Sequence, residues 1–273
     1  MTENQTIQLN SGHQMPLLGL GVYKATEDTE LSQAIETAFS NGYRLIDTAS
    51  AYKNEDGVGA ALNAVSLPRE EIFVTTKIWN NAQRMGDVEG AFNRSLERLR
   101  LDYVDLYLIH WPVPGCFTGT WNQMERLYHS GVARSIGVSN FDINQLEELA
   151  QVSDIVPAVN QIEFHPLWNQ SELAAYCQDK GIAVQAYSPL ARGAYKDREL
   201  LVEIGNNYGK SPIQVGLRWM VQKGISVIPK SVNDERIISN AQIFDFELTE
   251  NEMTTIDCLD EKYRSASVPD DLL

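Results

Sequence analysis

Cysteine is scarce in this sequence of 273 residues. Only Cys116, Cys177 and Cys258 occur, an odd number, widely spaced and with no CxxC pair. Neither a disulfide framework nor a zinc knuckle fits that pattern, and reduced thiols in a cytoplasmic protein do. Positive charge is also in short supply. The 22 Lys and Arg residues face 37 Asp and Glu, for a net charge of −15. A surface this acidic argues against nucleic acid or an anionic membrane as partner. No apolar run approaches the roughly twenty residues of a membrane-crossing helix. The opening Met-Thr-Glu-Asn-Gln-Thr lacks the basic and apolar regions of a signal peptide. The sequence therefore reads as cytoplasmic. A Gly-x-Gly-x-x-Gly fingerprint is missing too: Gly19-Leu-Gly21 has no third glycine, and Gly57-Val-Gly59 falls in a helical stretch. That argues against a Rossmann dinucleotide site.

What is present is alternation. Hydrophobic residues make up 43% of the chain, ample for a large core. Residues 6–9 and 14–17 flank Ser-Gly-His and predict an N-terminal β-hairpin. Eight short apolar runs follow, at 18–21, 44–47, 72–77, 104–110, 133–138, 158–163, 182–187 and 225–229. They are apolar on both faces, as buried parallel strands are. Between them lie helical patterns at 28–41, 55–64, 87–100, 120–130, 142–150, 171–180, 211–223 and 234–241. Extra helices are expected at 197–208 and 249–259. In 87–100, Val88, Phe92, Leu96 and Leu99 form one stripe. Asp142 and Ser211-Pro212 read as helix starts, and Gly42 and Gly181 as helix ends. No linker or composition break divides the chain. Eight β–α units predict a single (β/α)8 TIM barrel over 1–273, with the hairpin and extra helices added.

In such a barrel the strand tips converge on one site. Asp47, Lys77 and His110 each end a strand, and Tyr52 lies one loop turn past the first of them. A buried ammonium needs a counter-ion, and Asp47, two barrel positions from Lys77, is the natural one. A phenol beside that cation would become a better acid, and an imidazole could orient or relay to the same oxygen. Any one of these residues alone would more simply be structural. Their joint placement predicts proton transfer to a carbonyl oxygen.

Two further groups stand at strand ends. Ile-Pro-Lys-Ser at 228–231 leads to Arg236, and Ser231 with Asp234 resembles a capping box opening a helix. Lys230 and Arg236 beside that helix start predict an anion site suited to phosphate. Ser139, Asn140 and Gln161 can grip a carboxamide by forked hydrogen bonds, and Tyr187 offers a face for stacking. Tyr23, Trp79 and Trp111 are placed to wall an apolar pocket. His165 reads as a structural loop residue.

The segments carrying these residues resemble the aldo-keto reductase family over nearly the whole chain. They are Gly-Leu-Gly-Val-Tyr-Lys at 19–24, Gly-Tyr-Arg-Leu-Ile-Asp-Thr-Ala at 42–49, Tyr52, and Thr-Lys-Ile-Trp-Asn at 76–80. Leu-Ile-His-Trp-Pro at 108–112, Gly-Val-Ser-Asn-Phe at 137–141, Asn-Gln-Ile-Glu-Phe-His-Pro at 160–166, Tyr-Ser-Pro-Leu at 187–190 and Ile-Pro-Lys-Ser at 228–231 complete the set. The small members that reduce diketogluconate, methylglyoxal or prostaglandin are the most similar. The resemblance implies NADPH-dependent reduction of aldehydes and small ketones, dicarbonyls included, with no metal or flavin. By it Tyr52 is the general acid, Lys77 and Asp47 tune it, and His110 orients the carbonyl. Ser139, Asn140 and Gln161 would hold the nicotinamide carboxamide and Tyr187 its ring. Ser188 and Leu190 would line the pyrophosphate. Lys230, Ser231, Val232 and Arg236 would meet the 2′-phosphate, and Asn240 the adenine. Asn233 and Asp234 depart from the more basic pattern of NADPH-selective relatives. Short loops and an early C-terminal end imply an open pocket with no arginine at its rim. The chain is expected to act as a monomer on a small carbonyl substrate. The alternative is a cofactor-binding regulatory or structural barrel protein with little turnover.

Overall fold

The computed structural model describes residues 5–272. The polar stretch read against a signal peptide lies largely in residues 1–4, outside them. The hairpin forms from β1 (Thr6–Gln8) and β2 (Gln14–Pro16), antiparallel, with Ile7 opposite Met15. Gly12 turns it at φ +89°, a conformation that side chains resist. Eight strands follow: β3 (Leu20–Gly21), β4 (Leu45–Asp47), β5 (Phe73–Ile78), β6 (Leu106–Ile109), β7 (Ile136–Ser139), β8 (Val159–Glu163), β9 (Ala183–Tyr187) and β10 (Ser226–Val227). Each pairs in parallel with the next. The ends of the sheet also meet. Val227 N donates to Leu17 O at 2.8 Å, and Gly19 N to Val227 O at 2.9 Å. Parallel bridges join Leu18 to Val227 and Gly21 to Lys230. The sheet thereby closes into the expected (β/α)8 barrel.

Eleven α-helices are found among the described residues: α1 (Asp28–Ser40), α2 (Glu55–Ala64), α3 (Asn80–Met85), α4 (Val88–Leu99), α5 (Phe117–His129), α6 (Ile143–Ala150), α7 (Ser171–Asp179), α8 (Glu199–Tyr208), α9 (Pro212–Gln222), α10 (Asp234–Ala241) and α11 (Glu250–Asp257). All but α3 were expected, though α5 begins three residues early. Six residues are too few for α3 to show a hydrophobic period; Gly86, at φ +65°, ends it. The helix starts at Asp142 and Ser211 are full capping boxes, closed by Gln145 and Gln214. The capping box expected of Ser231 with Asp234 is corrected. Asn233, not Ser231, caps α10: its Oδ1 accepts from Arg236 N at 3.0 Å. Ser231 lies two residues outside, where its hydroxyl instead accepts from Asn233 N. No helix among the described residues is long and apolar enough to cross a membrane.

Side chains alternate along each strand. Leu45, Phe73, Leu106, Leu108, Val159 and Ala183 point inward and pack with Leu9 and Met15 of the hairpin region, which plugs the lower end of the barrel. Ile46, Val74, Tyr107 and Val184 point outward into the main core beneath the helices. The inward series continues upward with period two. Leu45 leads to Asp47, Phe73 to Thr75 and Lys77, Leu106 and Leu108 to His110, Val159 to Gln161 and Glu163, and Ala183 to Gln185 and Tyr187. The rule that fills the lower lumen with aliphatics thus lines its upper end with polar groups.

Candidate active site

Asp47, Lys77 and His110 do converge there. Asp47 and Lys77 sit on neighbouring strands, β4 and β5, rather than two positions apart. Both are buried. Lys77 Nζ uses all three hydrogens, donating to Asp47 Oδ1 at 2.6 Å, Thr48 O at 2.9 Å and Tyr52 Oη at 3.4 Å. A 3-10 turn, Ser50–Tyr52, delivers the phenol; Ser50 Oγ pins that turn to Lys77 O at 2.9 Å. The Tyr52 and His110 rings meet edge-on with centroids 5.7 Å apart. Trp79 packs against His110 at 5.0 Å and Tyr23 against Tyr52 at 5.0 Å.

Desolvation dominates the electrostatics. Burial pushes the Asp47 carboxyl up and the Lys77 ammonium down, while each partner pulls the other back. Burial, followed by the positive charge of Lys77, holds His110 well below its ordinary 6.5, so its imidazole is neutral. Its Nδ1 is buried with no hydrogen-bond partner among the described residues. For Tyr52 the expected direction is corrected. Burial, then the Asp47 carboxylate, pushes the phenol well above 10. The ammonium lies closer to Asp47 than to Tyr52, so its field is largely offset, and the resting phenol keeps its proton.

The amide cluster is also close at hand, but already engaged. Asn140, left-handed at φ +65°, donates Nδ2 to His110 O and Ser139 Oγ, each at 3.0 Å. Its Oδ1 accepts from Tyr187 Oη at 2.7 Å. Ser139 Oγ donates to Gln161 O at 2.8 Å. Gln161 Nε2 donates to Asp47 Oδ2 at 2.7 Å and Gln185 Oε1 at 2.6 Å. The predicted fork is therefore mostly a set of acceptors, with Gln161 Oε1 and the second lone pair of Asn140 Oδ1 available. Beyond β9, Ser188 (φ +46°), Ala191 (φ +44°) and Arg192 (φ +53°) hold a left-handed loop that includes Leu190.

Lys230 and Arg236 are exposed, with no carboxylate in ion-pair range among the described residues. Ser231 is buried and Val232 packs against the core. Asn240 is only 4% exposed, and no hydrogen bond to its side chain is found among the described residues. Two uncompensated cations and an unpartnered amide on one segment suit a phosphorylated nucleoside.

A cavity of about 370 Å³ flanks the tetrad of Asp47, Tyr52, Lys77 and His110. Trp111, Asn140 and Tyr187 line it, whereas Tyr52, Lys77 and His110 do not; Tyr23 and Trp79 touch catalytic candidates instead. The expectation of a rim without arginine is corrected. The C-terminal segment folds back over the mouth and contributes Arg264, Val268 and Leu272. Arg264 stands over the rings of Trp111 at 5.9 Å and Trp168 at 5.4 Å. Glu163 holds the segment by accepting from Ser265 N at 2.6 Å, Ser265 Oγ, and Ala266 N at 3.1 Å. It also bonds to buried His165 at 3.1 Å. Farther along, Arg84 of α3 pairs with Asp271 at 2.6 Å. Sequence reasoning missed Glu163, Gln185 and Arg264. The first two were findable, being the next inward positions along β8 and β9.

Comparison with known proteins follows the same lines. The model of the aldo/keto reductase family matches residues 17–261. The chain is 48% identical to glyoxal reductase of Bacillus subtilis over 268 residues, 98% of this chain and 97% of that protein. It is 44% identical to methylglyoxal reductase DkgA of Salmonella typhimurium over 274 residues, 99% and 98% of the two chains. Among solved structures, an aldo-keto reductase from a Medee basin deep-sea metagenome superposes with a TM-score of 0.93. It shares 38% identity, covering 97% of this chain and 98% of that one. The aldose reductase of Schistosoma japonicum gives 0.90 at 36% identity, covering 95% and 93%.

Proposed function

We propose, from the premise that the chain belongs to the aldo/keto reductase family, that it reduces aldehydes and small ketones, dicarbonyls among them, to alcohols. A reduced nicotinamide dinucleotide supplies the hydride when bound. The observation that carries the reading is Lys77, whose single ammonium bonds both Asp47 and the phenol of Tyr52 in a buried site. Tyr52 keeps its proton at rest and gives it up as the substrate oxygen gains negative charge. Lys77 Nζ, 3.4 Å away, stabilises the phenolate that remains. Neutral His110 donates to or orients the same oxygen. Trp79, Tyr23 and Trp111 shield the site from water.

We infer NADPH as the preferred cofactor, because Lys230 and Arg236 carry uncompensated positive charge. Ser231, Val232 and Asn240 complete that end of the site. Ser188 and Leu190 flank the pyrophosphate, and Ser139, Asn140, Gln161 and Tyr187 meet the nicotinamide. In this reading the whole of 1–273 is one catalytic unit, a cytoplasmic monomer using neither metal nor flavin and binding no nucleic acid. A regulatory or structural barrel with little turnover is not favoured, since the relatives it matches are reductases. The test is NADPH oxidation with methylglyoxal or a nitrobenzaldehyde by the wild type and Tyr52→Phe. The variant should bind NADPH normally and lose at least a hundredfold in kcat; full activity in it would end the mechanism.

A further inference from the structure

Below the tetrad a chain of hydrogen bonds runs down the barrel. Gln161 Nε2 donates to Asp47 Oδ2 at 2.7 Å and to Gln185 Oε1 at 2.6 Å. Gln185 Nε2 donates to Ser226 Oγ at 3.2 Å, and Ser226 Oγ to Pro16 O at 2.9 Å. All of these side chains are buried; Gln185 and Ser226 have no exposed surface.

The direction of this chain is not free. Its ends, an aspartate paired with Lys77 and a proline carbonyl, can only accept. Ser226 must therefore give its one hydrogen to Pro16 and accept from Gln185. Gln185 must then turn Nε2 toward Ser226 and Oε1 toward Gln161. Gln161 in turn gives one amide hydrogen to Gln185 and the other to Asp47. Its Oε1 is left with no donor among the described residues. Rotating the Gln161 amide would set oxygen against both the carboxylate and Gln185 Oε1, so the buried partners fix its orientation.

We propose that Gln185 is a positioning residue for the cofactor. It locks the Gln161 amide so that Oε1 alone faces the site, as an acceptor for the N–H of a carboxamide, and it ties that grip to the Asp47–Lys77 pair. The inference rests on the reading of Gln161 as a nicotinamide contact. Gln185 touches neither substrate nor cofactor and acts only through Gln161.

The test compares two probes on the full chain: NADPH, and adenosine 2′,5′-bisphosphate, which has no nicotinamide. Gln185→Leu should weaken NADPH about tenfold, the worth of roughly one hydrogen bond, and leave the bisphosphate within about twofold. Gln185→Glu, neutral when buried without a cation, can accept from Gln161 and donate to Ser226, and should restore NADPH affinity. Unchanged NADPH binding in Gln185→Leu, equal loss of both probes, or no rescue by glutamate would overturn the proposal. Should Gln185→Leu fail to fold, Ser226→Ala frees the next link and should give a smaller loss confined to NADPH; no selective loss there counts against it equally. In the cofactor-free protein, hydrogen exchange of the Gln161 side-chain amide should be slow in the wild type and Gln185→Glu and fast in Gln185→Leu. Equal exchange in all three would refute the lock. A wild type that bound both probes yet reduced no carbonyl would count against the proposed function instead.

Discussion

Removing the Lys77 ammonium tests whether the buried ion pair serves stability, chemistry or both. Lys77→Met leaves Asp47 buried with Gln161 as its remaining side-chain partner. Breaking one side of a buried pair costs about 3–5 kcal/mol. For a chain of this size that lowers Tm by roughly 10 °C. Pairing it with Asp47→Asn removes the stranded charge, and Gln161 can still donate to the new amide oxygen. The double variant should recover most of the lost stability. Activity should not follow. At 3.4 Å and an effective dielectric of about 20, a full charge stabilises a phenolate by roughly 5 kcal/mol. Asp47 offsets part of this, so the loss in kcat should lie between about thirtyfold and a thousandfold, or some 2–4 kcal/mol. Thermal denaturation and NADPH oxidation, measured on the wild type, both single variants and the double, separate the two effects. If activity returned together with Tm in the double variant, Lys77 would be a structural residue only, and the reasoning on Tyr52 would fail.

Other expectations are narrower. His110 is held neutral by burial and by Lys77, so kcat/KM should be flat through pH 6.5; an inflection there that His110→Gln abolished would contradict this. Burial opposes ionisation of Glu163, but hydrogen bonds from His165, Ser265 and Ala266 together outweigh it and set the carboxyl below its ordinary 4.5. Its folded pKa being depressed, Glu163 contributes stability above about pH 4.5 that fades as pH falls through the lower folded value. Glu163→Gln should therefore lower Tm at pH 7 but converge on the wild type in acid, and a constant gap across pH would refute the assignment. Lys230→Ala and Arg236→Ala should each raise KM for NADPH about tenfold, as loss of a charged hydrogen bond implies, and leave KM for NADH nearly unchanged. Equal effects on both cofactors would place the two cations elsewhere than at a 2′-phosphate.

The barrel was legible because its strands are apolar on both faces and its helices carry one stripe. Asp47, Lys77 and His110 were legible because strand ends in such a barrel share one site. Details set by partners distant in sequence were not. Nothing local marks Asn233 over Ser231 as the cap of α10, since both sit near the helix start and only backbone geometry decides. The direction of the Tyr52 shift is set first by how completely the folded chain buries the phenol and then by the Asp47 carboxylate, neither of which is visible in the residues around Tyr52. Gln185 looked like an ordinary polar residue in a strand until Gln161 and Ser226 were seen on either side of it. Arg264 belongs to a segment with no regular period, and its approach to Trp111 follows from backbone ties on both sides of it, to Leu167 O through Tyr263 and to Glu163 through Ser265.

That anchorage separates scaffold from selectivity. One wall of the cavity is drawn from residues 264–272, which follow every strand of the barrel, and the segment is fastened at Leu167 O, at the Glu163 carboxylate and at Asp271. The closure between Leu18 and Val227 involves none of residues 264–272, whereas Glu163 in the upper lumen depends on Ser265 and Ala266 for its hydrogen bonds. In the proposed reading the wall that meets the substrate is thus a short peptide, distinct from the strand ends that carry Asp47, Lys77 and His110.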